Sequence, residues 1–456
     1  MNAGKALQHF AWVSVSLLAF LLALLYQAQA EVQLGGEFWA RGSADLRDDR
    51  PEEDLFSEHA YVRSHLRFTL GPRWAGRLGI MLDRLAAHRH GRNREETTLL
   101  LGESFLRYQG TRWEITLGHQ IIRWGKADEI SVLDHLTRQD LRELFTLRQE
   151  ERQRPWPWLR IRHFGSRLTW EGVFTLWPLW PRRKTVDADW AVFDHLRAQL
   201  RAAGLASLFP LRIRKEKPSP GLQHAEFGMR LGGTWGVMDW ELSFLHAHSR
   251  SFYPYLKRFP LRGLRLEHPG DPWRDLWAQL ERLEIASESL LITYPRDEIF
   301  GFSFETTWRG WGLRGEVAFH TAQVFLRRDL TSTRRPSWQW VLGADYQMEN
   351  GLYLNLQLLQ QKIVHHSEAI LFEHALDSFL FLRLAQGLGH DFLQLRLDGM
   401  YGLSTRSWYL NPEVSYKPRD DWELFLGLHL LDGPQGTFLD PYDANDQVYL
   451  GLRYNF

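Results

Sequence analysis

The chain has 456 residues, in which 55 Lys and Arg are balanced by 55 Asp and Glu. That balance provides no basic field for nucleic acid, and the absence of cysteine excludes disulfides, thiolate metal sites and a covalent c-type haem. The 21 Trp, 14 Tyr and 27 Phe form a heavy aromatic load, suited to girdles at the two interfaces of a membrane.

At the amino end, Lys5 precedes an apolar run from Phe10 to Leu25 and then Tyr26-Gln27-Ala28-Gln29-Ala30. A positive start, an apolar stretch and a small-x-small site predict a signal peptide over 1–30, cleaved before Glu31. A single membrane helix is the competing reading of the same run. No later stretch is apolar enough to be a membrane helix, but a β-barrel hides its span in short alternating strands.

Residues 31–456 divide into segments with period-two alternation. They are placed near 32–46, 58–70, 73–86, 97–108, 111–121, 157–164, 167–177, 222–233 and 236–248. The series continues near 296–308, 311–325, 337–348, 351–365, 369–385, 389–403, 406–417, 421–431 and 446–456. The expected fold is all-β, a transmembrane antiparallel barrel of about eighteen strands, or about sixteen if the short 157–164 is discounted. Ala60, Val62, Leu66, Phe68 and Leu70 alternate with Tyr61, Arg63, His65, Arg67 and Thr69. Such strands put an apolar face toward lipid and a charged face toward a wet lumen.

Short turns fall at every second connection, among them Gly71-Pro72, Gln109-Gly110, Arg309-Gly310 and Glu349-Asn350. Between them lie the long connections 122–156, 178–221 and 249–295. Short turns on one rim and long loops on the other are the arrangement of outer-membrane barrels. Each long loop is expected to carry a helix: Ile130 to Phe145 with Asp128 as a cap, Asp187 to Ala203 with Trp190, Phe193, Leu196 and Leu200 at helical spacing, and Asp271 to Ile285 with Trp273, Leu276, Trp277, Leu280 and Leu283 on one stripe. These helices cap the mouth, enter the lumen as a plug, or receive an apolar ligand.

The last segment, Gln447 to Phe456, alternates Val448, Leu450, Leu452, Tyr454 and Phe456 with Gln447, Tyr449, Gly451, Arg453 and Asn455. It resembles the terminal strand by which bacterial outer-membrane barrels are recognised for assembly, with Tyr454 and Phe456 as the signal. The partners this implies are outer-membrane lipids and the barrel assembly machinery, in the outer membrane of a Gram-negative bacterium.

The stretch Gly118 to Glu143 contains Gly118, Gln120, Trp124, Gly125, Asp134 and Asp140 at spacings that resemble a Gly-x-Gln-x-x-x-Trp-Gly pattern and its acidic continuation. That pattern belongs to a family of Gram-negative outer-membrane barrels called domain of unknown function 1302. Thr137-Arg138 stands where the family has Asn-Pro. The resemblance implies a channel-like transport protein for small, amphiphilic or hydrophobic solutes, often found alongside an RND-type exporter. A closed or partner-dependent barrel, plugged by its own loops, is the alternative.

Charges of both signs crowd this stretch, and folded inward they would narrow a pore. Arg123, Lys126, Asp128, Asp134 and Asp140 are the constriction candidates. Lumen-facing candidates on the strands are Arg63, Arg67, Glu103, Arg107, Arg314, Glu316, Glu373, Asp377 and Arg383. Both signs are interspersed there, so internal ion pairing is expected rather than a ring of one sign. His246-x-His248 and His88-x-His90 lack the further ligands a metal needs. Ser249, Ser251, Ser404 and Ser407 form no nucleophile signature with a histidine. No catalytic residue, metal or cofactor is expected, and the chain is not expected to be an enzyme.

Overall fold

A computed structural model describes residues 31–47, 54–89, 92–144, 146–185, 188–191, 193–194, 213–250, 255–258, 261–285 and 290–456. The predicted signal peptide, His90 and Ser251 lie outside these residues. The described residues contain one closed antiparallel sheet of eighteen strands. They are β1 Glu31–Asp45, β2 Asp54–Leu70, β3 Trp74–Arg89, β4 in two halves (Arg92–Leu101 and Ser104–Gln109), β5 Trp113–Gln120, β6 Trp156–Phe164, β7 Leu168–Thr175, β8 Glu226–Trp235 and β9 Met238–His248. The series goes on with β10 Arg296–Trp308, β11 Trp311–Leu326, β12 Ser332–Gln347, β13 Leu352–Ile363, β14 Leu376–Leu388, β15 Leu393–Gly402, β16 Trp408–Arg419, β17 Trp422–Asp432 and β18 Gln447–Asn455.

Each strand pairs with its neighbour in sequence, and β1 closes the ring on β18 with Glu37 opposite Asn455 and Asp45 opposite Gln447. Closure leaves no unpaired edge, which is what a strand structure needs in lipid. The carboxy-terminal residue takes part: Gly36 N–H donates to Phe456 O at 2.7 Å and Phe456 N–H returns to Gly36 O at 3.0 Å. The Phe456 ring occupies the space that a side chain at position 36 would fill.

The alternation read from the sequence sets the two faces. Val62, Ile80, Leu82, Leu117, Leu342, Leu424, Leu426 and Leu450 are on the exposed outer surface, while Tyr61, Asp83, Thr116, Glu423 and Tyr449 are buried inside. The short turns gather an aromatic belt at one rim: Trp74 against Tyr108, Trp113 against Trp170, Trp311 against Tyr346 and Trp422 against Tyr454, at ring separations of 5.0, 5.2, 4.8 and 4.6 Å.

Several boundaries move. β4 begins at Arg92 rather than 97 and breaks at Gly102–Glu103, where Ser104 Oγ bridges the ladder by donating to Gly79 O and accepting from Gly79 N. β8 starts at Glu226, after a single 3-10 turn at Leu222–His224. β14 starts at Leu376, not 369, so Glu373 lies in the preceding loop and not on a strand.

The helix expected over Ile130 to Phe145 does not form; the described part of that stretch is irregular apart from a two-residue strand, Arg138–Gln139. Ile130 N and Val132 N bond Gln357 and Glu316 of the wall, while Asp140 N and Leu141 N bond the backbone of Arg152 and Arg182 instead of a preceding helical turn. A single helical turn, α1 Gln149–Arg152, follows. Of the helix expected over Asp187 to Ala203, only 188–191 and 193–194 are described; there Trp190 stacks on Tyr442 and Phe193 joins an apolar cluster over the mouth. The third helix is present as α2 Pro272–Gln279, capped by the Asp271 side chain and continued by a 3-10 turn. It packs Leu276 with Leu256, Leu264, Leu266, Leu290 and Ile292 over the long-loop rim, while Trp277 and Leu280 of the same stripe stay exposed.

Candidate pore constriction

The segment 121–155, between β5 and β6, turns into the lumen and touches the wall on nearly every side. The turn is built by the residues of the Gly-x-Gln-x-x-x-Trp-Gly stretch. Gly118 and Gly125 both have positive φ, +131° and +102°, and a Cβ on Gly125 would sit 2.3 Å from Glu316 Oε1. Gln120 Nε2 donates to Trp158 O at 2.9 Å, tying the end of β5 to β6. Trp124 Nε1 donates to Glu171 on β7 at 2.7 Å, and its ring fills the space beside Gly228 of β8.

With no side chain at Gly125, Glu316 of β11 reaches the loop backbone. Its Oε1 accepts from Lys126 N at 2.6 Å and Ala127 N at 2.7 Å; its Oε2 accepts from Ser131 Oγ and Val132 N, both at 2.8 Å. Gln357 of β13 accepts from Ile130 N at 3.0 Å. Beneath these bonds Ile122, Trp124, Val132, Leu133 and Leu136 bury themselves against Val173, Leu245, Ala247, Ile299, Ala318 and Val341 of the wall. This first limb is held mainly by backbone hydrogen bonds and apolar contact, with Asp128–Arg314 and Glu129–Arg383 as its two charge pairs to the wall.

The second limb, 140–154, is held by charge. Arg142 reaches Asp83 at 2.6 Å and Asp140 at 2.8 Å; Arg154 and Arg182 share the same two carboxylates. Glu143 bonds Arg41 of β1 at 2.7 Å and also His59 of β2. Across the lumen, Arg148 reaches Glu413 at 2.5 Å, and Glu151 takes Arg453 at 2.6 Å. Burial works against the charge on Glu143, yet Arg41 and His59 hold its carboxyl down to about 2.

The five constriction candidates separate. Asp128 pairs with Arg314 at 2.7 Å, accepts from Asn355 and borders a cavity. Lys126 sits 3.7 Å from both Glu241 and Glu305, and Arg123 is exposed with Asp134 at 3.8 Å. The Asp134 side chain is shielded between Arg123 and Gln153 of the same segment, and the buried Asp140 joins Arg142, Arg154 and Arg182. Burial raises Asp134 to about 6, with Arg123 only partly offsetting it.

Of the wall candidates, Arg314, Glu316 and Arg383 bind the loop, Arg383 through Glu129 while also pairing with Asp398 of the neighbouring strand at 2.6 Å. Arg63 lies over Tyr61 and reaches Glu150 O, Glu103 pairs with Arg77 at 2.5 Å, and Arg107 lies over Phe105. Arg67 is exposed. Asp377 accepts from His374, and Glu373, in its loop, presents an unpartnered Oε2 to the interior. His246 and His248 do not share a face: His246 stacks on Phe227, which faces outward, whereas His248 bonds the buried Glu226 at 2.9 Å.

Open space persists beside the crossing segment. A cavity of about 420 Å³ lies on the long-loop side, lined by Leu144, Phe372, Phe379, Trp408 and Phe438 among others. A second, of about 440 Å³, lies beyond the loop and is lined by Asp128, Arg148, Phe381, Arg396, Tyr409 and Glu413 among others. Ile130 and Arg152 of the loop and Leu359 and Met400 of the wall border both. These four residues make a neck between an apolar vestibule and a charged chamber. Sequence reasoning did not find it, because Arg152 lies over 200 residues from the strands it faces and no local spacing links them.

No protein-family model matches the chain, and no curated protein is similar to it. Among solved structures it is similar to OmpF of Salmonella typhi, solved in complex with daunomycin, at 10% identity and a TM-score of 0.44 over 94% of this chain and 99% of that one. It is similar also to a loop-deletion mutant of OmpT, an outer membrane protein of Vibrio cholerae, at 8% identity and a TM-score of 0.41 over 94% and 99% of the two chains. OccAB1 of Acinetobacter baumannii is a third similar structure, at 7% identity and a TM-score of 0.48 over 94% and 96%.

Proposed function

We propose that the protein is a porin-like channel of the Gram-negative outer membrane, with 121–155 as its constriction and small amphiphilic or hydrophobic solutes as its cargo. The observation that carries this reading is the pair of cavities meeting at Ile130, Arg152, Leu359 and Met400 inside a closed barrel. Apolar and aromatic residues line the outer cavity, and ion-paired residues of both signs line the inner one. A solute with an apolar body and a polar end matches that sequence of surroundings. The resemblance to domain of unknown function 1302 supports the same cargo class, and it is the sole basis for proposing an RND-type exporter as partner. The short-turn rim faces the periplasm on this reading.

Single-channel recording of the purified protein in a planar bilayer is the test. Stable open steps that change on Asp128→Lys support a pore narrowed by the crossing segment. Silence from folded protein sinks it and selects a closed barrel. The attachment of one loop to both halves of the wall favours that second reading.

A further inference from the structure

Most charged side chains of the crossing segment have a counter-ion, Arg138 donates to Trp180 O instead, and Glu150 is exposed. Among the described residues Arg152 has neither a counter-ion nor a carbonyl acceptor: its guanidinium makes no hydrogen bond or ion pair, and its Nε is buried without a partner. Asp134, Glu150 and Glu129 are the carboxylates whose fields reach it, and none of them bonds it. Asp134 is engaged by Gln153 and Arg123, Glu129 by Arg383, and Glu150 is an exposed residue on the inner cavity. The side chain lies deep in the barrel yet retains surface open to both cavities, because it forms part of the neck.

A guanidinium whose Nε is buried without an acceptor is costly unless something supplies one, and its remaining donors face the cavities. Burial draws its proton affinity down, but an arginine keeps its charge. Directly outward of it are Phe372, Phe379, Leu359 and Met400, an apolar wall with room for a hydrocarbon or aromatic body. On the same cavity, Glu373 carries its own unpartnered Oε2. Burial, reinforced by the neighbouring Asp377, pushes that carboxyl's pKa up, which favours its uncharged form and lessens its repulsion of an anion.

We propose that the neck is a binding site for amphiphilic monoanions, with the carboxylate or equivalent oxyanion on Arg152 and the apolar body in the vestibule against Phe372 and Phe379. Guanidinium and carboxylate match in a two-pronged geometry, which gives the site preference for an anion over a neutral or cationic solute of the same shape. This deepens the channel reading and rests on it for its physiological sense, though binding itself requires only the cavity.

The test uses the full protein in lipid nanodiscs with 4-phenylbutyrate, 4-phenylbutylamine and 4-phenylbutan-1-ol, titrated by calorimetry against empty discs. The acid is expected to bind about ten-fold more tightly than the alcohol, the scale of one charge-assisted hydrogen-bonded pair, and the amine more weakly than either. Arg152→Gln should reduce the acid-to-alcohol ratio to about one while leaving alcohol affinity intact, which also reports that the vestibule has folded. Arg152→Lys should restore part of the preference. An acid-to-alcohol ratio unchanged by Arg152→Gln, equal binding of amine and acid, or no anion preference in the wild type would each overturn the proposal. Bilayer recordings keep the two readings apart. Anion-selective binding by a silent barrel refutes the channel and leaves the site standing, whereas open pores with no anion preference do the reverse.

Discussion

The two limbs of the crossing segment reach opposite sides of one wall by different physics. Residues 122–133 present backbone N–H groups to a single wall carboxylate, Glu316, and press apolar side chains against small wall residues. Residues 140–154 present side-chain charges to Asp83, Arg41, Glu413 and Arg453. The first limb leans most on Glu316 and on close fit, and adds only two charge pairs, Asp128–Arg314 and Glu129–Arg383. The second spreads its attachment over many pairs, so no one of them is decisive. Ile130 of the first limb and Arg152 of the second border the neck, which makes its width a property of both.

The largest effect is expected where one residue serves many donors. Glu316→Ala orphans four enclosed donors at once, and should cost about 5 kcal/mol, at slightly more than 1 kcal/mol for each lost bond. Limited trypsin digestion should then cut after Arg123 or Lys126, and conductance should rise. Continued protection of both sites would show that the apolar contacts alone hold the limb. Glu316→Gln keeps acceptor oxygen and is expected to lie between.

Arg142→Met comes next. It removes a buried cation shared by Asp83 and Asp140, but Arg154 and Arg182 still face both carboxylates. The cost should be about 3 kcal/mol, the low end for a broken buried pair, read as the shift in urea unfolding followed by tryptophan fluorescence. Opening of the pore without loss of global stability would mean that the second limb is a gate and not an anchor.

How much of this was legible follows the same division. Strand positions and faces were readable because alternation is local: Trp338 and Trp340 outside, Gln339 and Val341 inside, needs no knowledge of the rest of the chain. The inward turn was legible only through Gly118, Gln120, Trp124 and Gly125, whose spacing drew attention without saying what they bond. The helix expected from Ile130 failed where its interior donors meet other segments: Asp140 N bonds Arg152 O and Leu141 N bonds Arg182 O, partners that no local spacing announces. Asp128, expected as its cap, was taken by Arg314 for the same reason. Period-two reading also put Glu373 on a strand, since nothing nearby marks where β14 gives way to loop.

Acid separates the limbs further. Asp134 titrates near 3.8 when free and near 6 in the folded chain, so folding is opposed by its charge above pH 6 and that opposition fades as the pH falls toward 3.8. Glu143 runs the other way: its folded value near 2 lies below the free 4.5, so its contribution is present above 4.5 and is lost as the pH falls toward 2. Asp134→Asn should therefore stabilise the protein at pH 7 by about 2 kcal/mol and do nothing below pH 4. A stability-pH profile of the two proteins that stays parallel throughout would show that Asp134 is ionised at no cost.

The smallest effect is the most diagnostic for the comparison. Lys126 is the one cation of the first limb facing wall carboxylates, Glu241 and Glu305, and at 3.7 Å from each it makes no hydrogen bond with either. Its backbone N–H, not its ammonium, carries the attachment to Glu316. Lys126→Gln should thus change stability by less than about 0.5 kcal/mol and leave trypsin protection at Arg123 intact. It should also shift the reversal potential in a salt gradient modestly toward cations, because a positive charge leaves the pore lining. If the substitution instead released the loop as Glu316→Ala does, the Lys126 ammonium would be holding the first limb along with Asp128 and Glu129. The wall would then grip the whole segment by one mechanism, and the pore would close and open with ionic strength.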